Sequence, residues 1–225
     1  MTYCRRLDFM SSSERARFLE TEAQYNEAVA RGDDDAYDIM KSLPRYSRES
    51  VNRMNDCIID NCNSVAREGD TIVFQGDIIF GEYARLRELR RRIVCRDLRM
   101  IWGNHDKRLR KLWEADKTVF YDLFSSCKDV DTIRYNNQKI WVSHYAHAVW
   151  DQSHRGVWHC YGHSHANFEH WREEHMPHAK MIDVGIDYRA RLGHGYSLWS
   201  VDDLRERFEN LDGQSVDHHR PGDGK

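Results

Sequence analysis

The feature that most constrains the fold of this chain is a phrase repeated four times, a short apolar run that delivers a polar, metal-capable residue at its carboxyl end. Thr71-Ile72-Val73-Phe74 leads into Gln75-Gly76-Asp77, and Leu98, Met100, Ile101 and Trp102 lead into Gly103-Asn104-His105-Asp106. Lys139-Ile140-Trp141-Val142 runs into Ser143-His144-Tyr145, and Val157-Trp158-His159-Cys160-Tyr161 into Gly162-His163-Ser164-His165. Apolar runs of this length bounded by turn residues predict buried strands. In open α/β sheets ligands bind at the carboxyl ends of the strands. One such His or Asp is an ordinary turn residue, but Asp77, Asn104, His144, His163 and His165 in the same local context predict one site.

The segments between these runs predict helices. Val51, Met54, Ile58, Cys62 and Val65 recur at three- and four-residue steps after a Ser47 or Ser50 cap, and the helix ends near Gly69. Leu86, Leu89 and Ile93 mark another over Glu82 to Ile93, with Arg85, Arg87, Arg90, Arg91 and Arg92 outward. A charge run of this kind is usually a solvated face, and its alternative is a docking surface for a polyanion continued by Lys107-Arg108-Leu109-Arg110-Lys111. Thr132 to Tyr135 and Lys139 to Val142 predict a hairpin through Asn136-Asn137-Gln138. Met181 to Ile186 and Tyr196 to Trp199 predict strands, and Val201 to Phe208 a closing helix. Residues 1–46 predict an arm or insertion, with a loop over Arg31 to Asp38, on a single domain spanning 1–225. Residues 212–225 are a polar, flexible tail.

Composition excludes several classes. A chain of 225 residues, 40% hydrophobic and 32% charged, can bury one sizeable core. Its 34 Lys and Arg against 37 Asp and Glu give a formal charge of -3, so no global basic field draws it to nucleic acid. No apolar run approaches the roughly 18 residues of a membrane span, and the first residues hold no signal-like apolar core; the expectation is a cytoplasmic protein. Six Cys without paired spacing predict reduced thiols. Thirteen His, many of them between His144 and His178, point instead to metal chemistry by imidazole and oxygen ligands, which suits Mn, Fe or Zn.

Gly76-Asp77, Gly103-Asn104-His105-Asp106, Ser143-His144 and Gly162-His163-Ser164-His165 resemble four of the five motifs of the calcineurin-like metallophosphoesterases, in that family's order. The resemblance implies a four-layered α/β/β/α sandwich with two divalent metals at the strand ends. It implies that Asp77 bridges the metals, that Asn104, His144 and His163 complete one site, and that His165 serves the other. His105 is implied as proton donor to the phosphate or leaving group, with Asp106 orienting it. The chemistry is consistent with those residue types: two cations about 3.5 to 4 Å apart clamp a phosphate and acidify a water for attack. A His has a pKa range suited to protonating the departing oxygen near pH 7.

The fifth motif, Asp-x-His at the end of a first strand, does not occur before Asp77. The segment Tyr3 to Phe9 resembles the stretch just after that motif in some members. The expectation is therefore a sandwich lacking its first interior strand, and one metal site reduced to Asp77 and His165. Asp217-His218-His219 contains the triplet but comes after no apolar run. The implied function is hydrolysis of phosphate mono- or diesters by metal-activated water, with a phosphorylated small molecule or nucleotide as substrate. The alternative is a weakly active or inactive binding protein on the same fold, holding one metal or none. Nucleic acid is a further substrate class, resting on the two basic runs alone.

Overall fold

The protein is described by a computed structural model covering residues 6–79, 83–213 and 216. Tyr3, Cys4 and Arg5, the expected helix start at Glu82, and the Asp217-His218-His219 triplet lie outside the described residues. The chain divides into two compact units, Met1–Ile58 and Ile59–Lys225.

In the first unit, helix α1 (Ser12–Arg31) starts at a capping box, in which Ser11 and Glu14 exchange side-chain and backbone hydrogen bonds, and stops at Gly32 with φ 72°. The Glu14 carboxylate also accepts from the Ser47 amide at 2.9 Å and the Ser50 hydroxyl at 2.9 Å, so it anchors the segment ahead of α3 (Arg48–Val65). The expected loop over Arg31 to Asp38 is shorter than the sequence suggests, because a second helix, α2 (Ala36–Ser42), begins inside it. On α3, Met54, Ile59 and Cys62 are buried, whereas Val65 is exposed, so the apolar face drifts from the expected one.

The second unit holds two sheets. Strands β1 (Thr71–Phe74), β2 (Asp97–Ile101) and β3 (Ser126–Lys128) form a parallel sheet in that order. Strands β4 (Val130–Tyr135), β5 (Gln138–Ser143), β6 (Trp158–Tyr161) and β7 (Met181–Asp183) form the other, antiparallel only at the β4/β5 hairpin. Alternation along each strand separates the faces. Ile101 and Val73 meet Ile140, Val142, Trp158 and Cys160 between the sheets. Ile72, Leu98 and Met100 face Leu86 and Ile93 around α4 (Tyr83–Arg92) and Leu109 of α5 (Lys107–Ala115). Tyr161 and Met181 face outward onto Trp150 and Met176, the latter just past α6 (Glu169–His175). Helix, sheet, sheet and helix stack as the four layers expected of the fold.

Three details depart from the sequence reading. Among the described residues β1 is the edge strand of its sheet, and although its two faces pack on the two cores, Val73 and Phe74 are only half-buried. Tyr196 to Trp199 is not a strand; Leu198 and Trp199 line, with Ile72, Val73 and Gln75, a cavity of about 480 Å³ along that edge. The run from Met181 breaks at Asp183, and Ile186 opens helix α7 (Ile186–Arg191) instead of ending a strand. Helix α8 (Val201–Phe208) closes the second unit, capped by Ser200 and Asp203, with Leu204 and Phe208 against the inter-sheet core.

On the outer face of the second sheet, His159 is fully buried among Trp141, His147, Trp150 and Tyr161, and its Nε2 accepts from the His147 amide at 3.1 Å. Burial pushes its pKa from 6.5 down to about 3. The unfolded chain therefore takes up a proton below pH 6.5 that the folded chain refuses until about pH 3, and stability falls as pH falls through that window. About 2 kcal/mol should be lost between pH 7 and pH 5 from this group. Urea unfolding at the two pH values measures it: His159→Phe should show a smaller loss than the wild type, and equal losses would put the source elsewhere.

Candidate metal centre

The strand ends from both sheets converge on one volume. Pairing of Phe74 with Met100 places the turns after β1 and β2 side by side, and pairing of Val142 with Cys160 does the same for those after β5 and β6. The first two turns approach so closely that only glycine fits. A Cβ on Gly103 would lie 2.3 Å from Asp77 Oδ1, and one on Gly76 would lie 2.5 Å from His144 Nδ1. Asp77 itself has left-handed backbone, φ 55°. It is held there because its amide donates to Asp106 Oδ2 at 2.8 Å and its Oδ1 accepts from the His105 amide at 2.8 Å.

Asp77, His144 and His163 offer ligand atoms within 4.8 Å of one another. Asn104 joins them, with Oδ1 at 2.8 Å from His144 Nε2 and 3.1 Å from His163 Nδ1. The tautomer of His144 is set by its other contact. Nδ1 lies 2.7 Å from the Gln75 carbonyl, which can only accept, so Nδ1 carries the proton and Nε2 presents a lone pair. That lone pair faces Asn104 Oδ1 and, at 3.6 Å, Asp77 Oδ2. A bare imidazole nitrogen, an amide oxygen and a carboxylate oxygen converging this closely suit a cation, and ligands about 2.1 Å from a cation at right angles stand about 3 Å apart. The donor set therefore fits a divalent metal. Burial and the neighbouring His144 hold the His163 pKa below the usual histidine range, which keeps its imidazole neutral for ligation.

Asp106 is placed differently from the sequence reading. Asp106 is buried, and its Oδ2 accepts from the amides of Asp77 and Gly103, both at 2.8 Å, while Oδ1 has no hydrogen-bond partner among the described residues. Its carboxylate ties the two turns together and does not orient the His105 ring; burial raises its pKa. His165 lies outside the three-residue cluster, with Nδ1 at 2.6 Å from Asp187 Oδ2. His105 is exposed at the rim, beside Asp77 through its backbone.

A family model for the calcineurin-like phosphoesterase superfamily domain matches residues 55–185, more than half of the chain. The chain belongs to the calcineurin-like phosphoesterases. A solved structure of similar fold is the protein of unknown function AQ665 from Aquifex aeolicus, with TM-score 0.52 and 17% identity over 77% of this chain and 92% of that one. No curated protein sequence matches. The calcineurin-like match begins inside α3 and ends at Gly185, so it spans every residue of the cluster.

Sequence reasoning missed Asp183 and Asp187, the second of which holds His165. The signal was present: Met181-Ile182-Asp183-Val184-Gly185 is again an apolar run that ends on a carboxylate and a glycine, as Gln75-Gly76-Asp77 does.

Proposed function

We propose that the protein hydrolyses phosphate esters with the help of one divalent ion held by Asp77, Asn104, His144 and His163. The observation that carries this reading is the convergence of His144 Nε2, Asn104 Oδ1, His163 Nδ1 and Asp77 Oδ2, with the Gln75 carbonyl holding the His144 proton on Nδ1 and leaving Nε2 bare. A bound cation there supplies positive charge to the phosphate oxygens and acidifies a water for attack. The chain supplies the rest. Asp77 contributes the one anionic ligand of the cluster, and the neutral imidazoles leave most of the ion's charge for the substrate. His105, exposed and one residue from Asn104, would protonate the departing oxygen. The turns are fixed by Asp106, so the ligands need little rearrangement on binding. Manganese, iron and zinc suit the ligand set, and among the described residues no helix is long and apolar enough to cross a membrane.

A second reading concerns the substrate. Arg85, Arg87 and Arg91 on α4 and Lys107, Arg108 and Lys111 on α5 are exposed and make no ion pair among the described residues, whereas Arg96, Arg99, Arg110, Arg189 and Arg207 are all paired. Both helices come directly after strands whose ends build the site. This favours a substrate with several phosphates, such as an oligonucleotide. Assays with Mn²⁺ on an aryl phosphomonoester, an aryl phosphodiester and a short single strand test both readings. Metal-dependent turnover lost on chelation is expected, with strand binding weakening steeply as salt rises. Absence of turnover on all three would favour the non-catalytic alternative, and salt-independent binding would remove the polyanion.

A further inference from the structure

Asp183 is fully buried at the end of β7, paired in register with Tyr161, the residue ahead of the turn that carries His163 and His165. Its carboxylate is spent entirely on backbone and hydroxyl donors around that turn. Oδ2 accepts from Ser164 Oγ at 2.5 Å and from the Ala166 amide at 2.9 Å, and Oδ1 accepts from the Gly185 amide at 2.7 Å. Asp183 is fixed in its own right: its amide donates to Glu169 Oε1 at 3.0 Å, and Glu169 also takes the Tyr161 hydroxyl and, at 3.0 Å, Arg172 Nε.

The turn needs such a clamp. His163, His165 and Ala166 have φ of 65°, 48° and 67°, three left-handed residues among four, and none is glycine. An L side chain adopts that conformation only at a cost, so an isolated turn of this sequence would relax toward ordinary backbone. Relaxation would swing the His163 ring away from Asn104 Oδ1, 3.1 Å from its Nδ1, and so take apart the ligand set. Hydrogen bonds to an ionised carboxylate are the strong class and are set where the cost arises, at Ser164 and Ala166.

We propose that Asp183 is the positioning residue of the metal centre, locking residues 162–166 in the strained conformation that aims His163 at the cluster. The consequence for metal affinity rests on the metal-centre reading, whereas the effect on the turn does not. Asp183 is not a ligand in this scheme, because its oxygens already face donors of the chain. Asp187 bonds His165 in parallel.

The test uses Asp183→Asn in the full chain, which keeps one acceptor oxygen and replaces the other with a donor. Amide hydrogen exchange in metal-free protein should be about tenfold or more faster at Ala166, with Ile140 and Val142 of β5 unchanged. Mn²⁺ affinity by titration calorimetry should fall by about 10- to 100-fold, the usual effect of losing a group behind a ligand. Ser164→Ala should show a smaller change of the same kind, and Ser164→Thr, which keeps a hydroxyl, should restore both readouts. This pair decides the matter if Asp183→Asn does not fold. Unchanged exchange at Ala166, or acceleration shared equally with Ile140 and Val142, would overturn the proposal, since a merely structural Asp loosens the whole unit. If the wild type binds no Mn²⁺, the metal-centre reading fails, and exchange at Ala166 still decides whether Asp183 locks the turn.

Discussion

Asp77→Ala is expected to empty the metal centre and abolish turnover, whereas His105→Ala should keep the metal and lose about 10²- to 10⁴-fold in turnover. The two effects separate because the two residues do different work. Asp77 is the one carboxylate of the three-residue cluster, and without it Asn104, His144 and His163 offer a divalent ion neutral ligands only. Its removal also takes away the acceptor of the His105 amide, so the second turn loses a tie to the first. The His105 side chain is no ligand in this account. Its backbone amide still donates to Asp77 after truncation to alanine, so the ligand geometry survives and only proton donation is lost, which is worth that range for a general acid. Metal content by elemental analysis, set beside turnover for each variant, reads the difference. Equal metal loss in both would assign His105 to ligation.

A single methyl group should be nearly as damaging. Gly103→Ala places a Cβ 2.3 Å from Asp77 Oδ1 and 2.5 Å from the Asp77 amide, distances at which the Asp77 turn has to move. The backbone of Gly103 is not left-handed, so alanine meets no conformational penalty and the whole effect falls on Asp77. The shift needed is about 1 Å, and misplacement of that size costs on the order of 10²-fold in rate. Metal affinity should drop with it, while the sheets, whose core lies on the strands and not in the turn, keep the protein folded. Mn²⁺ titration with a thermal melt checks this. Wild-type affinity in Gly103→Ala would show that the two turns are not locked together as described.

How much of this was legible in the sequence depends on the kind of signal each residue carries. Asp77, Asn104, His144 and His163 were readable because each ends an apolar run, and strand ends on one edge of a parallel arrangement converge. The four-layered sandwich was implied by the family resemblance that the polar ends of those runs carry. Asp106 was misread because its orienting role was carried over from the family resemblance, whereas a turn that leads straight into α5 sends the carboxylate back to the Gly103 amide and across to that of Asp77. α6 hid in the charged run Glu169 to His175, whose buried pair Glu169 and Arg172 carries no apolar periodicity. β3 is three residues long, Ser126 to Lys128, too short for any pattern. Asp183 was hidden inside what looked like one apolar strand and Asp187 lay just past its expected end, because only pairing with β6 shows where that strand stops. Tyr196 to Trp199 has strand composition, yet among the described residues it has no strand to pair with.

The central claim, a single divalent ion held at the converging strand ends and used for phosphoester hydrolysis, is tested most directly by counting metal. The wild type and Asp77→Ala, each equilibrated with Mn²⁺ and dialysed, would be analysed for metal per chain and assayed on an aryl phosphodiester from the same samples. The account expects one ion per chain with turnover in the wild type, and neither in the variant. Metal retained in Asp77→Ala, or turnover in a wild type that holds none, would contradict it.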